Sequence, residues 1–176
     1  MCTSTINSCF SLDNFQKIST VIIAFVNLYL LIKYTNFRNS NDKTEKENDR
    51  KINWLKTLIL DHNLNKFYDF FDLVKSELAN LRVRGLSDVQ KQTIDSNVGD
   101  HFINLRRDFI DILLAIDENL YKQILDDIDK LQTHLTNITF DNGINLDVDS
   151  KFKILILEEL TKSKTNIIKL LFSYRG

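Results

Sequence analysis

The chain has 176 residues, a formal net charge of −1, no proline and four glycines. The near-zero charge argues against a general polyanion-binding role, and the scarcity of turn-forming residues argues against a strand-rich fold with many reversals. Abundant Leu, Ile, Lys, Asp and Asn predict an all-α fold of long helices and few loops, at a length that suits one domain plus a short appendage. The Lys, Asn and Ile bias is of the kind that AT-rich bacterial genomes produce.

Residues 1–16 are expected to form a short tail. Its Cys2 and Cys9 make neither a disulfide scaffold nor a four-ligand zinc site, because only two cysteines are present and they lie close together.

Residues 17–34, KISTVIIAFVNLYLLIKY, hold the first predicted helix. No charge falls between Lys17 and Lys33, and the apolar run from Val21 to Leu31 is broken only at Asn27. A helix at a globular surface would show a polar stripe there. The uncharged run is shorter than the ~20 residues that usually cross a bilayer. Lys17 and Lys33 can lengthen it by snorkelling, and Phe15 and Tyr34 flank it where interfacial aromatics belong. A buried core helix and a cleaved signal peptide are the competing readings, and no small-residue cleavage site follows the run. The expectation is a transmembrane anchor over 17–34, marked by Lys17, Val21, Asn27, Leu31, Lys33 and Tyr34. Basic residues cluster after it (Lys33, Arg38, Lys43, Lys46, Arg50 and Lys51), so the positive-inside rule puts the N-terminus outside. The chain is then a single-pass protein of the inner membrane, with residues 1–16 non-cytoplasmic and the C-terminal domain in the cytoplasm. Asn27 is a candidate for self-association, since an amide within a span seeks a partner on a neighbouring helix.

Residues 35–50 form a charged juxtamembrane linker, readable as a tether or as a solvated continuation of the helix. Residues 51–176 are expected to form a cytoplasmic bundle of four to five helices. Ile52, Trp54, Leu55, Leu58 and Ile59 open it, and Asp61 or Asn63 can cap the next helix. Leu64, Phe67, Phe71, Val74, Leu78 and Leu81 repeat at three and four, with Phe70 and Leu73 widening the face, and Gly85 terminates the run. The density of Phe67, Phe70 and Phe71 marks them as candidates for self-association. Ser87 with Gln90 reads as a capping box, followed by Ile94, Val98, Phe102, Leu105, Phe109, Ile112 and Ile116. Gly99 within that helix suggests a close helix approach. Asp117 opens another helix with a stripe at Tyr121, Ile124, Ile128, Leu131, Leu135 and Ile138. After FDNG, Asp149 or Ser150 is expected to cap a last helix carrying Phe152, Leu155, Ile156, Leu160, Ile167, Leu170 and Leu171.

Motifs for chemistry are sparse. His62 sits in a polar capping segment, His101 borders a core face, and His134 falls on the polar side of its helix. His101, Arg106 and Arg107 are weak ligand candidates. The acids Asp126, Asp127 and Asp129 read as a solvated face, and no metal site or cofactor is expected. Helical nucleases of the HEPN type carry an arginine and, after four to six intervening residues, a histidine, and none of the three histidines has an arginine at that spacing. Arg82, Arg84, Arg106 and Arg107 lie near acids, so surface ion pairs are expected there and nucleic acid is not an expected partner. No phosphate loop or nucleophile motif occurs, so the chain is not expected to be an enzyme.

The expected function is therefore non-catalytic. One reading is a membrane-anchored helical protein that self-associates and perturbs or permeabilises the bilayer, with membrane lipid and its own copies as partners. The alternative is a tethered adaptor whose bundle binds a cytoplasmic protein. The layout resembles that of small single-span helical effectors of bacterial antiviral-defence operons, including accessory proteins of RNA-targeting CRISPR loci, in architecture rather than in any motif.

Overall fold

The computed structural model describes the backbone from Leu12 to Gly176, and side chains from Ile23 onward except those of Ser40 and Asn41. Cys2, Cys9 and the side chains of Lys17 and Val21 lie outside the described residues. No strand occurs among the described residues, which are almost wholly helical. The chain divides into two compact units, Met1–Glu47 and Asn48–Gly176.

The described part of the first unit is a single helix, α1, which runs Leu12–Trp54 and whose last turns belong to the second unit. The stretch 35–50, open on sequence between tether and helix, is helical. It contains neither proline nor glycine, and it sets Asp42 four residues before Lys46 and Lys43 four before Glu47.

The second unit is an all-helical bundle. After the end of α1 and a π-helical turn at Leu55–Leu60 come α2 (Leu64–Leu78) and a 3-10 turn at Ala79–Arg82. Next is α3 (Asp88–Leu105), continued by a π turn at Arg106–Ile110 into the short α4 (Asp111–Leu114). Then come α5 (Glu118–Phe140), the short α6 (Asp149–Phe152), a third π turn at Lys153–Leu157, and α7 (Glu158–Ser173). The principal packings are α2 on α3, α5 on α7 and α3 on α5.

One hydrophobic cluster holds the bundle together, from Leu55 and Ile59 through Phe67, Phe102, Phe109, Ile124, Ile128 and Ile156 to Leu171. The stripe on α5 is buried at Ile124, Ile128, Leu131, Leu135 and Ile138, while Tyr121 packs half-buried beside it. On α3 the face is shifted part-way along. Ile94, Val98, Phe102, Leu105, Phe109 and Ile116 are buried as expected, but Ile110 and Leu113 are buried too, and Ile112 is only partly covered. The π turn explains this, because its extra residue delays the inward face by one position.

Side-chain caps close the starts of α3 and α5. Ser87 and Gln90 form the full capping box, with Gln90 N–H donating to Ser87 Oγ at 3.3 Å and Ser87 N–H to Gln90 Oε1 at 2.9 Å. Asp117 caps α5 by accepting the amides of Asn119 and Leu120, both at 3.0 Å. Gly85 adopts φ 73°, which a side chain would strain. Three expectations fail. Asn63 stands at the N-cap of α2, yet its side chain donates to the Leu58 carbonyl instead of capping. The last helical run has Val148 at its N-cap, so Asp149 is already in the first turn. Gly99 mediates no close approach, since a Cβ built there would meet nothing within 4 Å.

Candidate functional site

The feature that stands out is the apolar stretch of α1. Ile23, Phe25, Val26, Leu28, Tyr29, Leu30, Leu31 and Ile32 are all exposed, by between 51% for Val26 and 67% for Phe25. They occupy nearly every position of consecutive turns, so they point in all directions around the helix. Asn27 is exposed on the same turns, and Lys33, Tyr34, Phe37 and Arg38 follow. The backbone bonds are satisfied within the helix, and Thr35 adds a bond from its hydroxyl to the Leu31 carbonyl at 2.8 Å.

As a membrane span, however, the expectation over 17–34 is not supported: among the described residues no helix is long and apolar enough to cross a membrane. The reason is the length of the uncharged run, which spans Ile18 to Ile32 between Lys17 and Lys33. At ~1.5 Å per residue it rises about 22 Å, short of a ~30 Å hydrocarbon layer. Leu31, Lys33 and Tyr34 lie on exposed helix, while the side chains of Lys17 and Val21 are outside the described residues.

The three phenylalanines proposed for self-association are corrected by their burial. Phe67, Phe70 and Phe71 are 0%, 3% and 4% exposed. The Phe67 ring meets Phe71 at 5.0 Å and Phe109 at 5.2 Å, and Phe70 meets Phe102 edge-on at 4.9 Å. These rings join α2 to α3 inside the bundle.

The weak ligand candidates do not converge. His101 is half-buried beside the core. Arg106 turns to α5, where it pairs with Asp129 and donates to Gln132 Oε1 at 3.2 Å. Arg107 is exposed and bonds Asp108 at 2.9 Å, a contact that holds the Asp108 carboxyl below the usual carboxylate range. Arg82 and Arg84 pair with Asp149 and Asp147, so ion pairs do take up these arginines, with partners distant in sequence. His134 departs from the surface reading, because its Nε2 lies 3.1 Å from the Leu155 carbonyl and ties α5 to the last helical run.

Among the described residues no group of His, Cys, Asp or Glu is placed to hold a metal ion. The acidic run is divided between partners: Asp129 faces Arg106, and Asp126 pairs with Lys130. A cleft of about 280 Å³ lies between α5 and α7, lined by Asp127, Lys130, His134, Glu159, Lys162 and Asn166. Its lysines are already paired, Lys130 with Asp126 and Lys162 with Glu159 at 3.3 Å. It therefore offers no focused charge, and Ser163, which also lines it, has a buried hydroxyl with no hydrogen-bond partner among the described residues.

One polar constellation was not legible in the sequence. Lys51 Nζ lies 2.9 Å from Asp117 Oδ2, and the side chains keep only 26% and 14% of their accessibility. Burial works to raise the Asp117 carboxyl, but the Leu120 amide and Lys51 outweigh it and set it below the usual range. The Tyr174 hydroxyl is buried nearby without a well-formed hydrogen bond. Burial and the Asp117 charge push it up to about 12. The cluster fastens the first helical turns of the bundle and its C-terminal residues to the start of α5, which is a structural task. Asp117 was readable as a cap, but Lys51 and Tyr174 are 66 and 57 positions from it, so no local signal marks them.

No family model matches this sequence, and the comparisons with curated proteins and with solved structures likewise found no match. The functional reading therefore rests on the chain's own residues.

Proposed function

We propose that this chain is a non-catalytic, membrane-engaged helical protein whose apolar α1 segment inserts into a bilayer and clusters with copies of itself. The observation that carries the reading is the uncovered apolar stretch from Ile23 to Ile32. A helix apolar on all sides is stable only when surrounded, by protein or by lipid. A single partner helix covers one side, whereas a bilayer or a group of helices covers every side. Crossing the full hydrocarbon takes the residues from Lys17 onward in addition, and the basic residues after Ile32 favour an outside N-terminus with the bundle in the cytoplasm. Asn27 supports clustering: an amide in lipid gains from a partner across a helix interface, by about 1 kcal/mol or less. This helix-and-bundle layout suits an effector that perturbs the bilayer on assembly, as in the antiviral-operon proteins it resembles in architecture.

A tethered adaptor is the second reading. The observation that favours it is the closed core of the bundle, which leaves the aromatic rings of α2 unavailable for assembly. Extraction of the full-length chain in mild detergent, with its mass measured by light scattering corrected for bound detergent, separates the two. A discrete higher oligomer that Asn27→Leu reduces is expected under the first reading. A monomer or dimer indifferent to that change refutes clustering and leaves the adaptor. A chain that washes off membranes without detergent refutes both.

A further inference from the structure

The turn that follows the apolar stretch has a composition of its own. Lys33, Tyr34, Phe37 and Arg38 are all exposed, Tyr34 and Phe37 each by 65%. At 3.6 residues per turn, positions 33, 34, 37 and 38 fall within an arc of about 140°. The opposite arc carries the small polar residues Thr35, Asn36 and Asn39. One face of the helix is therefore cationic and aromatic, directly continuing the apolar stretch. No acidic residue occurs between Asp13 and Asp42, so no acid of this segment neutralises Lys33 or Arg38. Neither has an ion pair among the described residues. Beyond Asp42 the pattern changes, with Asp42, Glu45, Glu47 and Asp49 alternating with Lys43, Lys46 and Arg50.

We infer that this face is a headgroup-contact site selective for anionic phospholipid, an inference that rests on the membrane reading above. Amphipathic tyrosine sits at the headgroup level with its ring toward the acyl chains. Lysine and arginine extend from apolar stems to phosphate oxygens, and arginine can engage a phosphate through two parallel hydrogen bonds. Two uncompensated cations at the surface of an anionic leaflet are worth roughly a thirty-fold gain in partition at low salt.

Flotation of the full-length protein with liposomes tests this, comparing phosphatidylcholine alone with phosphatidylcholine containing phosphatidylglycerol. The expected result is flotation on both, with partition roughly thirty-fold stronger on the anionic vesicles at low salt and a smaller difference at high salt. Lys33→Gln with Arg38→Gln should abolish that preference and keep flotation on neutral vesicles. Lys43→Gln with Lys46→Gln removes the same charge beyond Asp42 and should leave the preference in place. Equal partition of the unaltered chain on both lipids, or equal loss in the two double variants, overturns the headgroup site while the membrane reading stands. Failure to float on either lipid overturns the membrane reading, and the headgroup site with it.

Discussion

Phe67→Ala tests whether the aromatic rings of α2 are core or interface. Phe67 is fully buried, and its ring is 5.0 Å from Phe71, 5.2 Å from Phe109 and 5.8 Å from Tyr68. Truncating a buried phenylalanine to alanine costs about 3–5 kcal/mol. Each lost ring pair adds on the order of 0.5–1.5 kcal/mol beyond the area term. Three neighbours place this variant towards the upper end, about 4–5 kcal/mol, a large share of the roughly 5–15 kcal/mol that holds a domain together. With a urea slope of about 2 kcal/mol per molar, the unfolding midpoint of the full chain should fall by about 2 M, followed by far-ultraviolet circular dichroism in mild detergent. Leu73→Ala on the same helix, at a side chain 50% exposed, should shift stability by no more than about 0.5 kcal/mol. An unchanged Phe67→Ala midpoint together with a reduced detergent-corrected mass would refute the argument, because it would place the ring between copies rather than inside one.

Asp117→Asn keeps a capping side chain and deletes its charge. Since the folded carboxyl sits below its ordinary value, its charge stabilises the fold above pH ~4 and that contribution disappears as pH falls through the folded value. The stability gap between the wild type and Asp117→Asn should therefore be widest near neutrality and close in acid, as read from urea midpoints across pH. Tyr174 has the opposite sign: its folded value is raised to about 12, so the stabilisation is intact below pH ~10 and lost as pH rises towards 12. Tyr174→Phe cannot ionise and should lose less stability than the wild type across that alkaline window. Gly85→Ala should destabilise by about 1 kcal/mol because φ is 73°, whereas Gly99→Ala, mid-helix with open space around it, should stabilise by about 0.5–1 kcal/mol, both read as shifts of the thermal midpoint.

The parts of the fold that the sequence made legible are those in which local geometry suffices. The Ser87–Gln90 box needs only residues three apart, and both of its halves form. The α5 stripe needs only an undisturbed helical period, and α5 has no irregular turn. The π turns were invisible because they arise where a helix must pack on several neighbours at once. At Arg106–Ile110 the extra residue moves the inward face on, so that Phe109 and Ile110 are both fully buried and Leu113 takes the place expected of Ile112. The phenylalanines of α2 show a different limit. Their crowding correctly marks a face that must be covered, but apolarity carries no record of whether the cover comes from the same chain or another. Here α3 supplies it.

That same ambiguity does not extend to α1, and the difference lies in how the exposed side chains are distributed. On the bundle, the exposed large apolar residues are separated along the chain, as with Leu73, Val83, Val89 and Ile103, and single exposed hydrophobes are ordinary at a protein surface. On α1 they are contiguous through successive turns, with only Ala24 and Asn27 intervening between Ile23 and Ile32. Contiguity around the whole helix removes the option of docking by one face. It also makes Asn27 the one side-chain amide in that stretch, so any gain from helix–helix hydrogen bonding is concentrated at a single level. Under the proposed membrane reading, Lys33, Tyr34, Phe37 and Arg38 stand where apolar surroundings would give way to headgroups. On that reading the helix encodes both a medium and a depth, which a stripe designed for one protein partner would not require.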